Sequence, residues 1–331
     1  MVRALPRPGG RRAVFLGTVV CALLGLLAWG VVTLDGEDSV SGHITIATGV
    51  PAGVYHLYGE LLQQDLAHDQ PDLRVRLTPS EGGPDNLSKL ATGKAAFTFA
   101  TADAVQQYQS SDAPGARHLR ACARLYDDYM QLVVARDSKV RSAADLRGLR
   151  VGVGAKGSGV QIISRRLLEA AGLRYGQDVK PVEVSLIDMR DRLRDGRLDA
   201  FFWSGGLPTS ALTDLADTFP IRLVPLGDLV APLHRQEESV YYRSAVMPAD
   251  AYPAVQGGQA VKTVAVANLL VTTDRTDPRL TEAVTRTVID SRDRIGKKVH
   301  AAQKVDLRTA VFTDPLPLHV GARRYYVSTK P

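Results

Sequence analysis

Three stretches of this chain repeat one local design, in which a short apolar strand runs into a glycine-containing turn that opens a helix. The turns cover residues 48–53, 81–83 and 154–159. A strand followed by a helix and then a second strand gives parallel pairing, because the helix carries the chain back across the sheet. The repeated design therefore predicts an α/β fold whose largely parallel sheet is covered by helices on both faces.

The same turns indicate what the fold could bind. The first lies in HITIATGVPAGVYHLYGELLQQDL, residues 43–66. A helix that begins directly after a strand presents unpaired N–H groups at the positive end of its dipole, which suits an anion. One such turn is ordinary loop chemistry, since glycine is the usual residue at positive φ. Three of them, shared between two parts of the chain, predict convergent anion binding.

The alternation of strands and helices occurs in two series, one from residue 43 and the other from about residue 136. In the second series the helix after residue 159 carries Val160, Ile163 and Leu167 on one face, which is typical of a helix packed on a sheet. The pattern predicts strands over 149–153, 180–186, 198–203 and 221–226.

Two similar α/β lobes are therefore expected, with a ligand cleft at the carboxyl ends of their strands. A long strand over 261–272 and a helix from 278 to about 296 are expected to return the chain to the first lobe. The predicted domains are an N-terminal segment (1–42), the first part of lobe 1 (43–131), lobe 2 (132–247) and the second part of lobe 1 (248–331).

The N-terminal segment has the composition of a membrane segment. Residues 13–34 carry no charge and follow Arg3, Arg7, Arg11 and Arg12. Their length is close to the ~20 residues that span a bilayer, and no small-residue cleavage site stands out, so an uncleaved anchor competes with a signal peptide. Either reading places the rest of the chain outside the cytoplasm, at the cell surface or in the periplasm.

The charge of that remainder argues against nucleic acid as a partner. Four of the 41 lysine and arginine residues lie in residues 1–34, where there is no acid, which leaves 37 basic and 35 acidic side chains. A nearly neutral body lacks the basic face that a nucleic-acid reader needs.

No enzymatic motif is complete. Gly152, Gly154 and Gly157 fit the dinucleotide fingerprint G-x-G-x-x-G, but no acid stands cleanly at the end of the next strand, since Glu183 lies within it. The seven histidines show no metal-ligand spacing, and Ser204 lacks the preceding glycine of a nucleophile elbow. The adjacent acidic pairs, at 127–128 and 237–238, are expected to point apart and to solvate a surface. We therefore expect a chain that is not an enzyme and uses no cofactor or metal.

Three aromatic residues are candidates for the walls of the cleft. Tyr55 stands in the first turn of its helix at the edge of the apolar stripe, Trp203 ends the predicted strand over 198–203, and Tyr126 follows the sequence Ala-Arg-Leu. Each would supply apolar area with a polar tip, and each could equally be a residue at the edge of the core.

Five segments, in this order, resemble the solute-binding subunits of TRAP transporters of the TAXI type. They are ITIATGVPAGVYHLYGELL, EGGPDNLSKLATGKAAFTFATADA, LRGLRVGVGAKGSGVQIISRRLLEAAGL, LRDGRLDAFFWSGGLPTSALTDLA and PLHVGARRYY. The resemblance covers residue 43 to about residue 326. It implies a type II periplasmic-binding-protein fold whose hinged lobes capture a small organic anion and deliver it to an ion-driven TRAP permease.

Carried onto this sequence, the resemblance implies a site without chemistry for a glutamate-like amino acid or a dicarboxylate. Pro84 departs from it, because proline stands where the family commonly has serine and removes a backbone N–H. Two alternatives stay open, a membrane-anchored ligand sensor and an NAD-dependent enzyme. With the turn residues and cleft-wall candidates added, the predicted ligand-binding residues are Thr48, Gly49, Gly53, Tyr55, Gly83, Asn86, Thr101, Tyr126, Gly157, Ser158, Trp203 and Pro208.

Overall fold

The computed structural model describes residues 40–51, 53–236 and 240–329. The predicted membrane segment at 13–34 lies outside the described residues. Among the helices that are described, none combines the length and the apolar character needed to cross a bilayer.

In the part of the chain that the structure describes, ten strands form a single sheet. They are β1 (Gly42–Ala47), β2 (Leu73–Thr78), β3 (Phe97–Thr101), β4 (Leu119–Ala135), β5 (Arg150–Gly152), β6 (Lys180–Val182), β7 (Ala200–Gly205), β8 (Ile221–Val224), β9 (Tyr242–Met247) and β10 (Val261–Thr273).

Eleven α-helices accompany the sheet in the described part of the chain. They are α1 (Val54–Asp69), α2 (Gly83–Ala91), α3 (Ala102–Ser110), α4 (Gly159–Ala170), α5 (Leu186–Arg194), α6 (Ser210–Thr218), α7 (Val230–Leu233), α8 (Pro253–Gln256), α9 (Pro278–Asp290), α10 (Arg292–Gly296) and α11 (Val320–Ser328). Short 3-10 helices span Ala116–His118, Ala143–Leu146, Gly227–Leu229 and His300–Lys304.

The strand order is β2-β1-β3-β10-β4-β7-β5-β6, with β8 paired to β4 and β9 to β10. At one end β1 is parallel to β2 and β3, and at the other β5 is parallel to β6 and β7. These parallel groups, with the helices that follow their strands, are called here the first half (β1–β3) and the second half (β5–β7). The predicted parallel pairing is present within these two groups, but the expectation of a largely parallel sheet is wrong, because β4 and β10 pair antiparallel with all of their neighbours.

The long antiparallel strands β4 and β10 join the two halves. β10 pairs with β3 through Asn268 to Val271, and β4 pairs with β7 through Tyr129 to Val134. The register between β4 and β10 shifts at Asn268, which is a β-bulge at the point where the pair passes from one half to the other. The sequence pattern had not indicated that β4 is continuous from Leu119 to Ala135.

Each half has its own apolar core. In the first half α1 buries Tyr58, Leu62 and Leu66 against Phe97 and Phe99 of β3. In the second half α4 buries the predicted face against β5 and β7, with Ile163, Leu167 and Leu168 at 1% exposure or less. The described residues nevertheless fall within one compact unit, Val40–Pro331, so the lobe boundaries at 131/132 and 247/248 stay predictions.

Two predicted elements differ from the structure. The strand expected over 180–186 ends at Val182, because Ser185 and Leu186 turn away and open α5. The long helix expected from residue 278 is interrupted at Ser291, which separates α9 from α10.

Candidate ligand-binding site

Five helices begin at the wall of one cavity of about 340 Å³ between the two halves. The helices are α1, α2 and α3 from the first half and α4 and α5 from the second, and each is at least nine residues long. The residues that precede them all line the cavity; they are Gly53, Gly82, Thr101, Ser158 and Ser185. The positive ends of five helix dipoles therefore meet at this cavity.

Gly83, Gly159 and Leu186 are among the first helical residues that leave a backbone donor free. Among the described residues, no protein acceptor receives the N–H groups of Gly83, Gly159 or Leu186. All three residues line the cavity. Helix N-termini with such unpaired donors are suited to bind an anion.

The turns before these helices depend on glycine at two positions. Gly82 has a φ of +117°, and a Cβ there would lie 3.9 Å from the backbone N of Gly159 on the other side of the cavity. Gly154 has a φ of +89°, and a Cβ there would lie 2.7 Å from the Cβ of Val160. At Gly82 only the backbone conformation requires glycine, because 3.9 Å is an ordinary contact distance, whereas at Gly154 close packing against Val160 requires it as well.

The side walls are aromatic and aliphatic. The ring of Tyr55 stacks on Phe99 with centroids 5.6 Å apart, and its hydroxyl donates to Oδ1 of Asn268. The ring of Trp203 lines the opposite half, and its Nε1 donates to Oγ1 of Thr209 at 3.1 Å. Because the polar tips of both rings already have partners, the rings offer mainly their faces to a guest.

Seven of the predicted residues line the cavity, and all three predicted turns contribute to it. These seven are Gly49, Gly53, Tyr55, Gly83, Thr101, Ser158 and Trp203. The convergence of the turns, predicted from their common design, is thus present in the fold. Whether these residues hold a solute stays a prediction.

The other five predicted residues lie outside the lining. Thr48 is buried beside Thr78 and His56, Asn86 donates to the carbonyl of Phe99 at 2.9 Å, and Tyr126 is buried in the core of the first half. The N–H of Gly157 is bound to Gln161 at 2.7 Å. Pro208 is exposed.

The sequence pattern missed two parts of the lining. The strand predicted over 180–186 includes Ser185 and Leu186, although Ser185 followed by Asp188 has the spacing of a helix cap. The N–H of Asp188 donates to Oγ of Ser185 at 3.2 Å. The second omission is Asp128, which is 7% exposed and lines the cavity. The expectation that the acidic pair at 127–128 solvates a surface is wrong for this residue.

The charged side chains that line the cavity in the described part of the chain are acidic. Among the described residues that line the cavity, Glu81 and Asp128 are charged and none is arginine, lysine or histidine. Burial raises the pKa of Asp128 to about 7, while the amide of Asn268 opposes the shift and the charge of Asp103 adds to it. Within the described residues, no group of three or more histidine, cysteine, aspartate or glutamate side chains could hold a metal.

Solved structures share this architecture. The alkanesulfonate-binding protein SsuA from Xanthomonas axonopodis pv. citri bound to MOPS matches with a TM-score of 0.51 and 17% identity, over 88% of this chain and 86% of its own. A putative L-cystine ABC transporter from Listeria monocytogenes matches with 0.50 and 13%, over 81% and 99%. An ancestral arginine-binding protein bound to arginine matches with 0.50 and 15%, over 78% and 98%.

These likenesses concern the fold, and they confirm the predicted type II periplasmic-binding-protein class. The sequence model of the NMT1-like family matches residues 46–328, and the chain belongs to this family. The matched proteins are named for binding or transport, in agreement with the expectation that the chain is not an enzyme. The narrower assignment to the TAXI type stays a prediction.

Proposed function

We propose that this protein binds a small organic anion in the cavity between its halves and passes it, chemically unchanged, to a membrane permease. The observation that carries the proposal is the set of free N–H groups at Gly83, Gly159 and Leu186, which belong to helices from both halves and line one cavity. Since the described lining has no cationic side chain, helix N-termini are its source of positive potential.

The cavity is adequate for a small solute. Its volume of about 340 Å³ is in the range of small-molecule sites. A micromolar dissociation constant requires about −8 kcal/mol. Several hydrogen bonds to a charged group, together with burial against Tyr55 and Trp203, would supply this after the costs of ordering. Movement of the halves about the β4–β10 pair would admit the solute and then exclude water.

The compounds that appear in the names of the matched proteins support this class of ligand. Those proteins are named for an alkanesulfonate, cystine and arginine, each of which carries a sulfonate or carboxylate group. The solutes favoured for this chain also carry carboxylate groups. They are a glutamate-like amino acid or a dicarboxylate, captured outside the cytoplasm.

A thermal-shift screen of the full-length protein in mild detergent tests the binding function. The panel contains amino acids, dicarboxylates, alkanesulfonates and NAD. We expect at least one organic anion to raise the melting temperature, because a ligand of the folded state stabilises it. Stabilisation by NAD alone, or by nothing in the panel, would contradict the proposal.

One variant locates the binding in this cavity. A Cβ at Gly159 meets no protein atom within 4 Å, so Gly159→Leu should fill the cavity without disturbing the fold. We expect affinity for the stabilising compound to fall by roughly tenfold or more, as measured by calorimetry. The control Glu169→Leu places the same side chain on an exposed position of α4 and should bind normally.

The narrower proposal concerns the permease. The resemblance to the TAXI type favours a TRAP permease driven by an ion gradient, whereas the matched Listeria protein is named as an ABC transporter. Uptake of the identified solute into proteoliposomes that contain the candidate permease separates the two. Uptake that follows an ion gradient supports the TRAP type, and uptake that requires ATP assigns the ABC type instead.

A further inference from the structure

One buried carboxylate at the cavity has no cationic partner among the residues that the structure describes. Asp128 lies on β4 beside the bulge and is 7% exposed, and what remains accessible borders the cavity. Its neighbour Asp127 faces the opposite side of β4, where Arg124 and Arg243 both pair with it. The two acids therefore form a natural comparison between a paired and an unpaired carboxylate.

The described groups around Asp128 supply no positive charge. The amide of Asn268 on β10 lies next to it, and the Oδ1 of that amide already accepts from Tyr55 on α1. The titratable groups that interact electrostatically with Asp128 are Asp103 on α3, Tyr55 and Tyr126. Within the described residues, no lysine, arginine or histidine is among them.

A carboxylate removed from water without a counter-charge is costly, and proteins pair or protonate such groups. The free helix N-termini account for the anionic part of a solute, but they leave this carboxylate unexplained. A solute that itself carries a cation would satisfy both parts of the lining at once.

We propose that the solute carries a primary amino group that pairs, as an ammonium, with the carboxylate of Asp128, which makes it a zwitterion of the amino-acid type. The inference rests on the proposed function and narrows it. It selects amino compounds over the dicarboxylates that the anion-binding helices alone would admit.

The pairing has a defined pH dependence. The ligand-free pKa of Asp128 is raised to about 7 by burial, and an ammonium beside it favours the ionised form. Binding of an amino compound therefore releases a proton below about pH 7, and affinity rises from pH 6 to pH 8. A dicarboxylate favours the protonated form, so its affinity falls over the same interval.

Calorimetry of the full-length protein in mild detergent tests the proposal with matched pairs of compounds. Each protein amino acid that has a primary amine, and taurine, is compared with the compound that lacks only that amine, such as L-glutamate with glutarate. We expect at least one amino compound to bind roughly thirtyfold tighter or more than its partner. In Asp128→Asn this difference should shrink to a few-fold and the pH dependence should vanish, whereas Asp127→Asn should retain both.

The possible results distinguish failure of the amine pairing from failure of the proposed binding function. If only compounds without the amine bind, or if Asp128→Asn keeps the full preference and the pH dependence, the inference is overturned while the proposed function stands. If no compound of any pair binds, both are overturned. Melting curves of the two variants check that each is folded before its affinity is compared.

Discussion

At the scale of single residues, Asp127 and Asp128 show how strongly one step along a strand changes the surroundings of a carboxylate. Successive side chains of a strand point to opposite faces, so Asp127 meets arginines while Asp128 meets the cavity and Asn268. That adjacent acids point apart could be predicted from the sequence. Which acid is buried could not, because it depends on the pairing of β4 with β10, which are distant in the chain.

The raised pKa of Asp128 predicts that the contribution of this residue to the stability of the ligand-free protein falls as pH rises. Its pKa is about 7 in the folded protein and about 3.9 in an unfolded chain, so the folded state holds the proton more tightly. Its contribution to the free energy of unfolding therefore falls between about pH 4 and pH 7 and is level above that. Urea unfolding should show Asp128→Asn equal to the parent at pH 4 and more stable at pH 8 by roughly 2–4 kcal/mol.

The matched variant is Asp127→Asn, which removes an acid that has cationic partners. It should gain no stability relative to the parent between pH 4 and pH 8. A stability difference for Asp128→Asn that stays constant with pH would show that this carboxyl ionises normally in the folded protein.

At the scale of elements, the strand–turn–helix units were the most predictable part of the molecule. Apolar periodicity and glycine positions are local properties, and they placed α1, α2 and α4 and their turns at the same cavity. The sequence did not indicate the turn before α5, because apolar residues continue to alternate after Val182, at Val184 and Leu186, and hide the cap at Ser185. The predicted contact residue Asn86 instead fixes α2 to β3 through Phe99, which a motif alone cannot distinguish from ligand binding.

The turn before α4 gives a prediction that separates backbone conformation from close packing. Gly154 and Gly157 both have positive φ, +89° and +74°, but only at Gly154 would a Cβ meet other atoms, 2.7 Å from Val160 and 2.8 Å from Ser158. Gly157→Ala carries only the left-handed backbone cost, on the order of 1 kcal/mol. Gly154→Ala adds the steric conflict and should lower the free energy of unfolding further, by roughly 1–3 kcal/mol in addition.

Chemical denaturation of the two alanine variants, measured in parallel without ligand, checks this order. An equal loss of unfolding free energy in both variants would mean that the turn relaxes around the added methyl group. The close contact of Gly154 with Val160 would then be unimportant.

At the scale of the whole molecule, the β4–β10 pair determines where the cavity lies. Both strands run from one half into the other, and the bulge at Asn268 marks the passage beside Asp128. The sequence predicted two lobes and a returning long strand over 261–272, which the structure shows as β10, and it supported the fold class that the structural comparisons confirm. The strand order and the length of β4 follow from pairing between distant segments, which local patterns do not encode.

The central claim is that one solute touches helix N-termini from both halves and is left covalently intact. A crystal structure of the protein with the compound that stabilises it most tests this directly. We expect an anionic group of the bound compound to lie within hydrogen-bond distance of the N–H of Gly83 and of the N–H of Gly159 or Leu186. A solute seated outside this cavity, bound to one half alone or chemically altered would contradict it.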